Sequence, residues 1–281
     1  MLKITKILVI ITSLSIAPFV RLAADETNEA ARAIAWMQTS AEYQAILSQT
    51  FKAAANQLQE AVFDESWTAA IEQFGQKSLN QLPNAIILDL DETLISTLSY
   101  RASLVLNNNK HDEKRFQNWM NIERAPLVPH VMTLIEKAAS LGVTVLLISD
   151  RVCKPTPRDP CPVKTQTLSM LKRVSIAFPK DQMFFRGEYS DWNKDQTSRR
   201  EFIAKRYRIL MIVGDDINQM IPQVSTLPMT ARKKLTSQYD EMWGSRWFIV
   251  PNPVYGSWLD VLPNDINKSL NPKTHTPMGI R

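Results

Sequence analysis

The stretch Ile86-Ile87-Leu88-Asp89-Leu90-Asp91-Glu92-Thr93-Leu94 constrains this chain more than any other. A short run of apolar β-formers reads as a strand buried on both faces. Here the run ends in two aspartates one residue apart. Carboxylates at the end of a buried strand are costly unless a partner or a metal ion meets them. In an open parallel sheet, ligands bind beyond the carboxyl ends of the strands. The stretch therefore predicts a reactive carboxylate pair at a strand tip. The plain alternative is an acidic turn.

Two further runs have the same form. Residues 143–148 lead into Ser149-Asp150-Arg151, and residues 209–213 lead into Gly214-Asp215-Asp216. Helical stretches separate them, near 130–140 and 165–173. Another is opened by the capping-box pattern Ser198-Arg-Arg-Glu201 and runs to about 205. A shorter strand is expected around 183–185. Strands alternating with helices predict an α/β fold, a parallel sheet flanked by helices. Right-handed crossovers then put the strand tips on one edge.

Before Pro83 the pattern is helical. Ser40 is placed to cap a helix in which Tyr43, Ile46, Leu47, Phe51, Ala54, Leu58 and Val62 keep near-3.6-residue spacing. Thr27 or Asn28 is placed to cap an earlier helix, and 66–74 suggests a third. The expected organisation is a smaller helical region at 25–82 packing on an α/β core at 83–260. A polar insertion at 96–126 lies near the tips, and 261–281 form a polar tail.

Residues 1–24 read as a cleaved signal peptide. Lys3 and Lys6 precede an apolar run over 7–20, and Leu22-Ala23-Ala24 offers a cleavage site. The run is short for a membrane span. No cysteine stands near the cleavage point, so no lipid anchor is expected, and the chain is expected to be periplasmic or secreted. Cleavage removes Lys3, Lys6 and Arg21 and no acids, which lowers the formal charge from +5 to +2. No Lys/Arg stripe remains to argue for a nucleic-acid polymer as partner. Export also makes the cysteines readable. Cys153 and Cys161 lie in a Pro-rich loop, and an oxidising compartment favours a disulfide between them. Two cysteines without a nearby histidine make a poor zinc site.

If the tips converge, Asp89, Asp91, Ser149, Arg151, Asp215 and Asp216 share one site, with Lys194 approaching from the segment before the 198–205 helix. Gathered carboxylates repel one another, so a divalent cation is needed to keep them ionised. A hard oxygen set without His or Cys favours Mg²⁺. A cation beside a hydroxyl and a Lys or Arg suits a phosphoryl group.

These residues resemble the haloacid dehalogenase superfamily of phosphotransferases: Asp89-Leu90-Asp91-Glu92-Thr93, Ser149 and Gly214-Asp215 match its first, second and fourth motifs. The chain is more closely similar to the class C bacterial acid phosphatases. Further matching stretches are Ala35-Trp-Met-Gln-Thr-Ser-Ala-Glu-Tyr43, Asp150-Arg151 with Asp159-Pro-Cys-Pro162, Thr197-Ser-Arg-Arg200 and Pro251-Asn-Pro-Val-Tyr-Gly-Ser-Trp258. The resemblance implies a Rossmann-type sheet and a small-molecule phosphomonoester as substrate, nucleoside monophosphates included. It implies Asp89 as nucleophile and Asp91 as general acid/base. Asp89, the Asp91 carbonyl and Asp215 would be the Mg²⁺ ligands. Ser149, Asp150, Arg151 and Lys194 would lie on the phosphate side, and Tyr255 and Trp119 would grip the leaving group.

The chain departs from that pattern in four places. Gln196 stands where the family's phosphate-binding lysine aligns. Lys194 either reaches the same place from its loop or is a solvated lysine. Gln219 replaces an acid of the fourth motif, with Asp216 as the candidate stand-in. Ser96-Thr97 replaces the usual Asp-Asn, and Pro129-His130 the usual Pro-Gly. Because Asp89 and Asp91 are both kept, catalysis is the favoured reading. The alternatives are a catalytically weakened phosphate- or nucleotide-binding protein on the same scaffold, and a phosphotransferase.

Overall fold

A computed structural model describes residues 26–270. The expected signal segment, 1–24, and the last residues of the tail lie outside them. Five parallel strands form one sheet: β1 (Asn84–Asp89), β2 (Thr144–Val152), β3 (Met183–Arg186), β4 (Arg208–Gly214) and β5 (Trp247–Ile249). Their order is β3-β2-β1-β4-β5. The chain therefore winds outward from β1 in one direction and returns to wind outward in the other. The switch point falls between β1 and β4, where such sheets open a crevice. The register sets Leu88 beside Leu147 on one side and Val213 on the other.

Alternation along β1 serves two cores. Ile86 and Leu88 join a buried cluster with Leu47, Phe51, Leu134, Phe185 and Met211. Ala85 and Ile87 face a second cluster with Phe184, Ile203, Ile212 and Trp247. Helices therefore cover both faces, which is why the strand sequences are apolar throughout.

The N-terminal helices are α1 (Glu26–Thr39) and α2 (Ala41–Phe63). Helix α1 is already formed at Glu26, so Thr27 and Asn28 lie inside it. Ser40 caps α2 by accepting the Tyr43 amide at 3.1 Å. The third helix expected over 66–74 does not form; only a 3₁₀ turn, Ile71–Gln73, is helical. Long-range hydrogen bonds outbid local ones here. The Ala69 amide donates to Ile209 O at 2.7 Å. The Gln73 side chain donates to Ala204 O and Tyr207 O and accepts the Ile209 amide.

The insertion is more ordered than its polar sequence suggests. Ser96 N–H donates to Pro126 O at 2.8 Å, closing the loop at its base. Within it stand α3 (Leu98–Leu106) and α4 (Glu113–Ile122). They are held by Tyr100, Phe116 and Trp119, the last two stacked at 13° with centroids 5.7 Å apart. Then follow α5 (Val131–Ser140), α6 (Pro162–Arg173), α7 (Thr197–Ala204), α8 (Met229–Gln238) and α9 (Ser257–Asp260). The capping box expected at Ser198 is absent. Helix α7 begins at Thr197, two residues earlier than a cap at Ser198 would place it, and Asp195 accepts the Thr197 amide instead. His130 precedes α5 in the left-handed conformation, φ 67°, and is exposed, a position that suits the glycine it replaces.

Candidate active site

The tips of β1, β2 and β4 meet beneath a cavity of about 450 Å³ roofed by α3 and α4. Its wall includes Asp89, Asp91, Asp150, Arg151, Lys194, Gln196, Asp215, Asp216, Gln219 and Tyr255. Nearly every residue singled out from sequence is therefore here.

Asp89 ends β1 and is 7% exposed. Burial is the main reason its carboxyl is held well above the usual carboxylate range; the charges of Asp215, Asp91 and Asp150 add to it. Asp215, just past β4, is pushed up to about 7 by burial, with Asp216 and Glu92 adding to the rise. Two neutral amides act the other way: Gln219 Nε2 donates to Oδ1 at 2.8 Å and Asn252 Nδ2 to Oδ2 at 2.7 Å.

Asp91 is held differently. Arg151 forks onto it, Nε to Oδ2 at 2.9 Å and Nη2 to Oδ1 at 2.7 Å. The third arm of the guanidinium, Nη1, donates to Thr167 Oγ1 on α6 at 2.7 Å. Such a bidentate pair fixes direction as well as charge. Directly after Asp91, Glu92 turns back in the left-handed region, φ 59°. Its buried carboxylate accepts from Thr97, Ser96 and the Tyr255 hydroxyl. Ser96-Thr97 thus serves as the clamp on that turn.

Ser149 is 1% exposed at the β2 tip and its Oγ accepts the Arg151 amide at 3.2 Å. It lies under the floor rather than among the cavity-lining residues. The adjacent Asp150 is paired with Arg199, whose guanidinium also takes Ser149 O and Asn193 O. Arg200, equally buried, binds Glu72, Asn218 O and Gln219 O. The Arg-Arg pair of α7 thereby fastens the β2 tip and the turn after β4 to one helix.

Two expectations need correction, and the alternatives left open at Lys194 are narrowed. Trp119 is not in the cavity wall; it backs Phe116, one turn earlier, which is. Asp216 is no spare metal ligand. Its carboxylate accepts the Asn218 and Ser257 amides and the Ser257 hydroxyl, so it straps the 252–257 loop to the β4 tip. Lys194 reaches the rim, but its ammonium is paired with Asp260 and its side chain is 47% exposed. Buried Gln196 sits on the wall with no side-chain hydrogen bond among the described residues. The Cys153–Cys161 disulfide is formed, two residues past Arg151. Sequence reading missed Asn252, Phe116 and Arg101. Only Asn252 carried a signal, inside the Pro251–Trp258 motif.

A doubly wound sheet with an acid pair at its central tip and a helical roof over it is the layout of the haloacid dehalogenase phosphohydrolases. The chain matches the family model of the HAD superfamily, subfamily IIIB (Acid phosphatase), over residues 13–258, and it belongs to that family. It is thus an acid phosphatase, a phosphomonoester hydrolase, of a superfamily whose phosphatases use divalent metal ions. Two solved structures share the fold. One is the class C acid phosphatase from Bacillus anthracis, with TM-score 0.69 and 22% identity over 88% of this chain and 92% of that one. The other is the class C acid phosphatase from Bacillus anthracis with tungstate bound, with TM-score 0.70 and 22% identity over 87% and 94%.

Proposed function

We propose that the chain is an exported, Mg²⁺-dependent acid phosphatase that cleaves small phosphomonoesters, nucleoside 5′-monophosphates among them, through an aspartyl-phosphate on Asp89. The observation that carries this reading is the division of labour between the acids. Asp89 and the half-buried Asp215 lie on adjacent tips without a basic partner among the described residues, while Asp91 is clamped by Arg151.

The donor set fits a hard divalent cation. Asp89, the Asp91 carbonyl and Asp215 would hold it, and each Asp215 oxygen has a lone pair beyond the one its amide partner uses. When bound, Mg²⁺ neutralises these carboxylates and draws charge from the phosphoryl oxygens. The chain's own residues do the rest. An Asp89 oxygen attacks phosphorus, and the leaving-group oxygen departs with a proton from Asp91. Water then attacks the acyl phosphate and returns a proton to Asp91, freeing phosphate and Asp89. Arg151 keeps Asp91 aimed through both steps. The Gln196 amide on the cavity wall is the near donor for phosphoryl oxygens, with Lys194 at the rim and the Ser149 hydroxyl beneath the floor.

Export rests on the pattern of residues 1–24 and on the disulfide. No helix among the described residues is long and apolar enough to cross a membrane. The test is turnover of phenyl phosphate and of nucleoside monophosphates with Mg²⁺ and then with chelator, combined with rapid quench. Chelator-sensitive turnover and an acid-stable phosphoenzyme missing in Asp89→Asn are expected. Full activity in Asp89→Asn overturns the reading.

A further inference from the structure

Three arginines line the cavity: Arg101, Arg151 and Arg186. Arg151 is committed to Asp91 and Thr167. Arg101 is not. Its guanidinium lies 4.0 Å from the centroid of the Tyr255 ring, flat-face territory for a cation on an aromatic, and 5.7 Å from that of Tyr100. The guanidinium forms no hydrogen bond or ion pair with any described residue, and its Nε is buried and unpartnered among them. Glu92, whose carboxyl feels the Arg101 charge, is already engaged by Thr97, Ser96 and the Tyr255 hydroxyl.

A guanidinium presents five donors in one plane and cannot shed its charge. Leaving a buried donor unmade is costly, so an arginine fixed in this way beside a cavity is complementary to an anion that arrives with the ligand. Its place says which part of the ligand. Arg101 sits on α3 of the roof with its guanidinium over the Tyr255 ring, whereas the phosphoryl-handling residues Asp89 and Asp91 are at the tip of β1. The anion it awaits is therefore not the scissile phosphoryl group. Arg101 also covers the Tyr255 face that a flat, neutral leaving group would need.

We propose that Arg101 is a specificity residue for a second anionic group, phosphate or carboxylate, on the leaving-group side of the substrate. Among the phosphomonoesters the site accepts, those whose leaving group carries a second phosphate or carboxylate are then bound more tightly than their neutral counterparts. The proposal rests on the phosphatase reading of the site, but its test does not need turnover.

Binding is measured by calorimetry with Mg²⁺ at about 0.15 M salt, where the screening length of roughly 8 Å suppresses long-range attraction. The probes are non-hydrolysable: 3-carboxypropylphosphonate against its neutral carboxamide, and 1,4-butanebisphosphonate against butylphosphonate. The wild-type protein is expected to bind each anionic member about tenfold or more tightly than its neutral counterpart, the scale of one charged hydrogen bond. Arg101→Gln is expected to erase that ratio, Arg101→Lys to keep part of it, and Lys52→Gln, exposed and outside the cavity, to leave it standing. The carboxylate and bisphosphonate pairs separate the two anion types. Equal binding of anionic and neutral members by the wild type overturns the proposal, as does a ratio that survives Arg101→Gln. Absence of phenyl phosphate turnover beside a preserved binding ratio counts against the hydrolytic reading alone.

Discussion

Gln219 Nε2 donates to Asp215 Oδ1 across 2.8 Å, and the same amide's Oε1 accepts the Asp216 N–H at 2.9 Å. A neutral side chain thus stands where the family pattern has an acid, and it orients the buried carboxylate beside it. Such outer partners of a metal ligand typically matter by 10- to 100-fold in metal affinity. Gln219→Leu is expected to weaken Mg²⁺ binding by about tenfold or more, and to cost about 1–2 kcal/mol of stability through the stranded groups. Gly214→Ala reaches the same end from the other side. A Cβ there would lie 1.7 Å from Gln219 Oε1, so the glutamine must let go. Mg²⁺ titration of activity and denaturant unfolding check both. Unchanged Mg²⁺ dependence in both variants would rule out this role for Gln219.

The fork from Arg151 to Asp91 makes a second prediction. Lysine carries the same charge but not two coplanar donors, so it cannot hold Asp91 and reach Thr167 together. Arg151→Lys is expected to lower kcat by roughly 10²-fold, the lower end of what a positioned acid/base contributes, with a smaller change in KM. Thr167→Val removes one arm only and should cost less. Steady-state kinetics on phenyl phosphate distinguish the two. An Arg151→Lys enzyme with normal kcat would show that the fork is a storage contact rather than an aiming device.

The strand tips were legible in sequence because their signal is local: an apolar run, then acids. What sequence did not disclose is decided by partners far along the chain. Residues 66–74 have helical spacing, yet Gln73 spends its amide on carbonyls at 204 and 207. Ser198-Arg-Arg-Glu201 has the form of a capping box, yet both arginines are needed at buried carbonyls of the β2 tip and of residues 218 and 219. That demand sets where α7 starts. Phe116 and Trp119 are one turn apart on α4, and only the docking of α4 over Arg151 decides that Phe116 faces the cavity, 5.1 Å from that guanidinium. Asp216 looked like a spare ligand because sequence cannot show that Ser257 and Asn218 already occupy it.

His111, between the roof helices, gives a titration that is independent of turnover. Burial lowers its pKa below 6.5, and the Arg101 charge lowers it further, against the raising effect of Glu113 and Asp112. Its Nδ1 lies 3.0 Å from the Tyr100 hydroxyl. Between its folded value and 6.5 the unfolded chain binds the larger share of this proton. The residue's contribution to stability therefore rises with pH across that window and is lost below it. With three histidines in the chain, nuclear magnetic resonance can follow it directly. Arg101→Gln is expected to move the midpoint upward without restoring it fully, because burial remains. A midpoint that does not move would place Arg101 away from His111.

The Cys153–Cys161 disulfide closes a short loop that continues directly from Arg151 and Val152, both in the cavity wall. Both ends of the loop are anchored as well: the Cys153 amide donates to Arg186 O at 2.8 Å, and Asp159 accepts the Cys161 amide and the Thr165 hydroxyl. By loop-closure entropy a bridge of this span stabilises by about 2–3 kcal/mol. Cys153→Ser/Cys161→Ser is expected to lose that amount, a shift of roughly 4–12 °C in Tm for a chain of this size. The loop is pinned at both ends of β2 and α6, so Arg151 should keep its fork at low temperature. Activity at 15 °C should then stay within about threefold of wild type, while the half-life at 45 °C shortens sharply. If the double variant instead loses activity in proportion at both temperatures, the bridge is positioning Arg151 rather than restraining the unfolded chain.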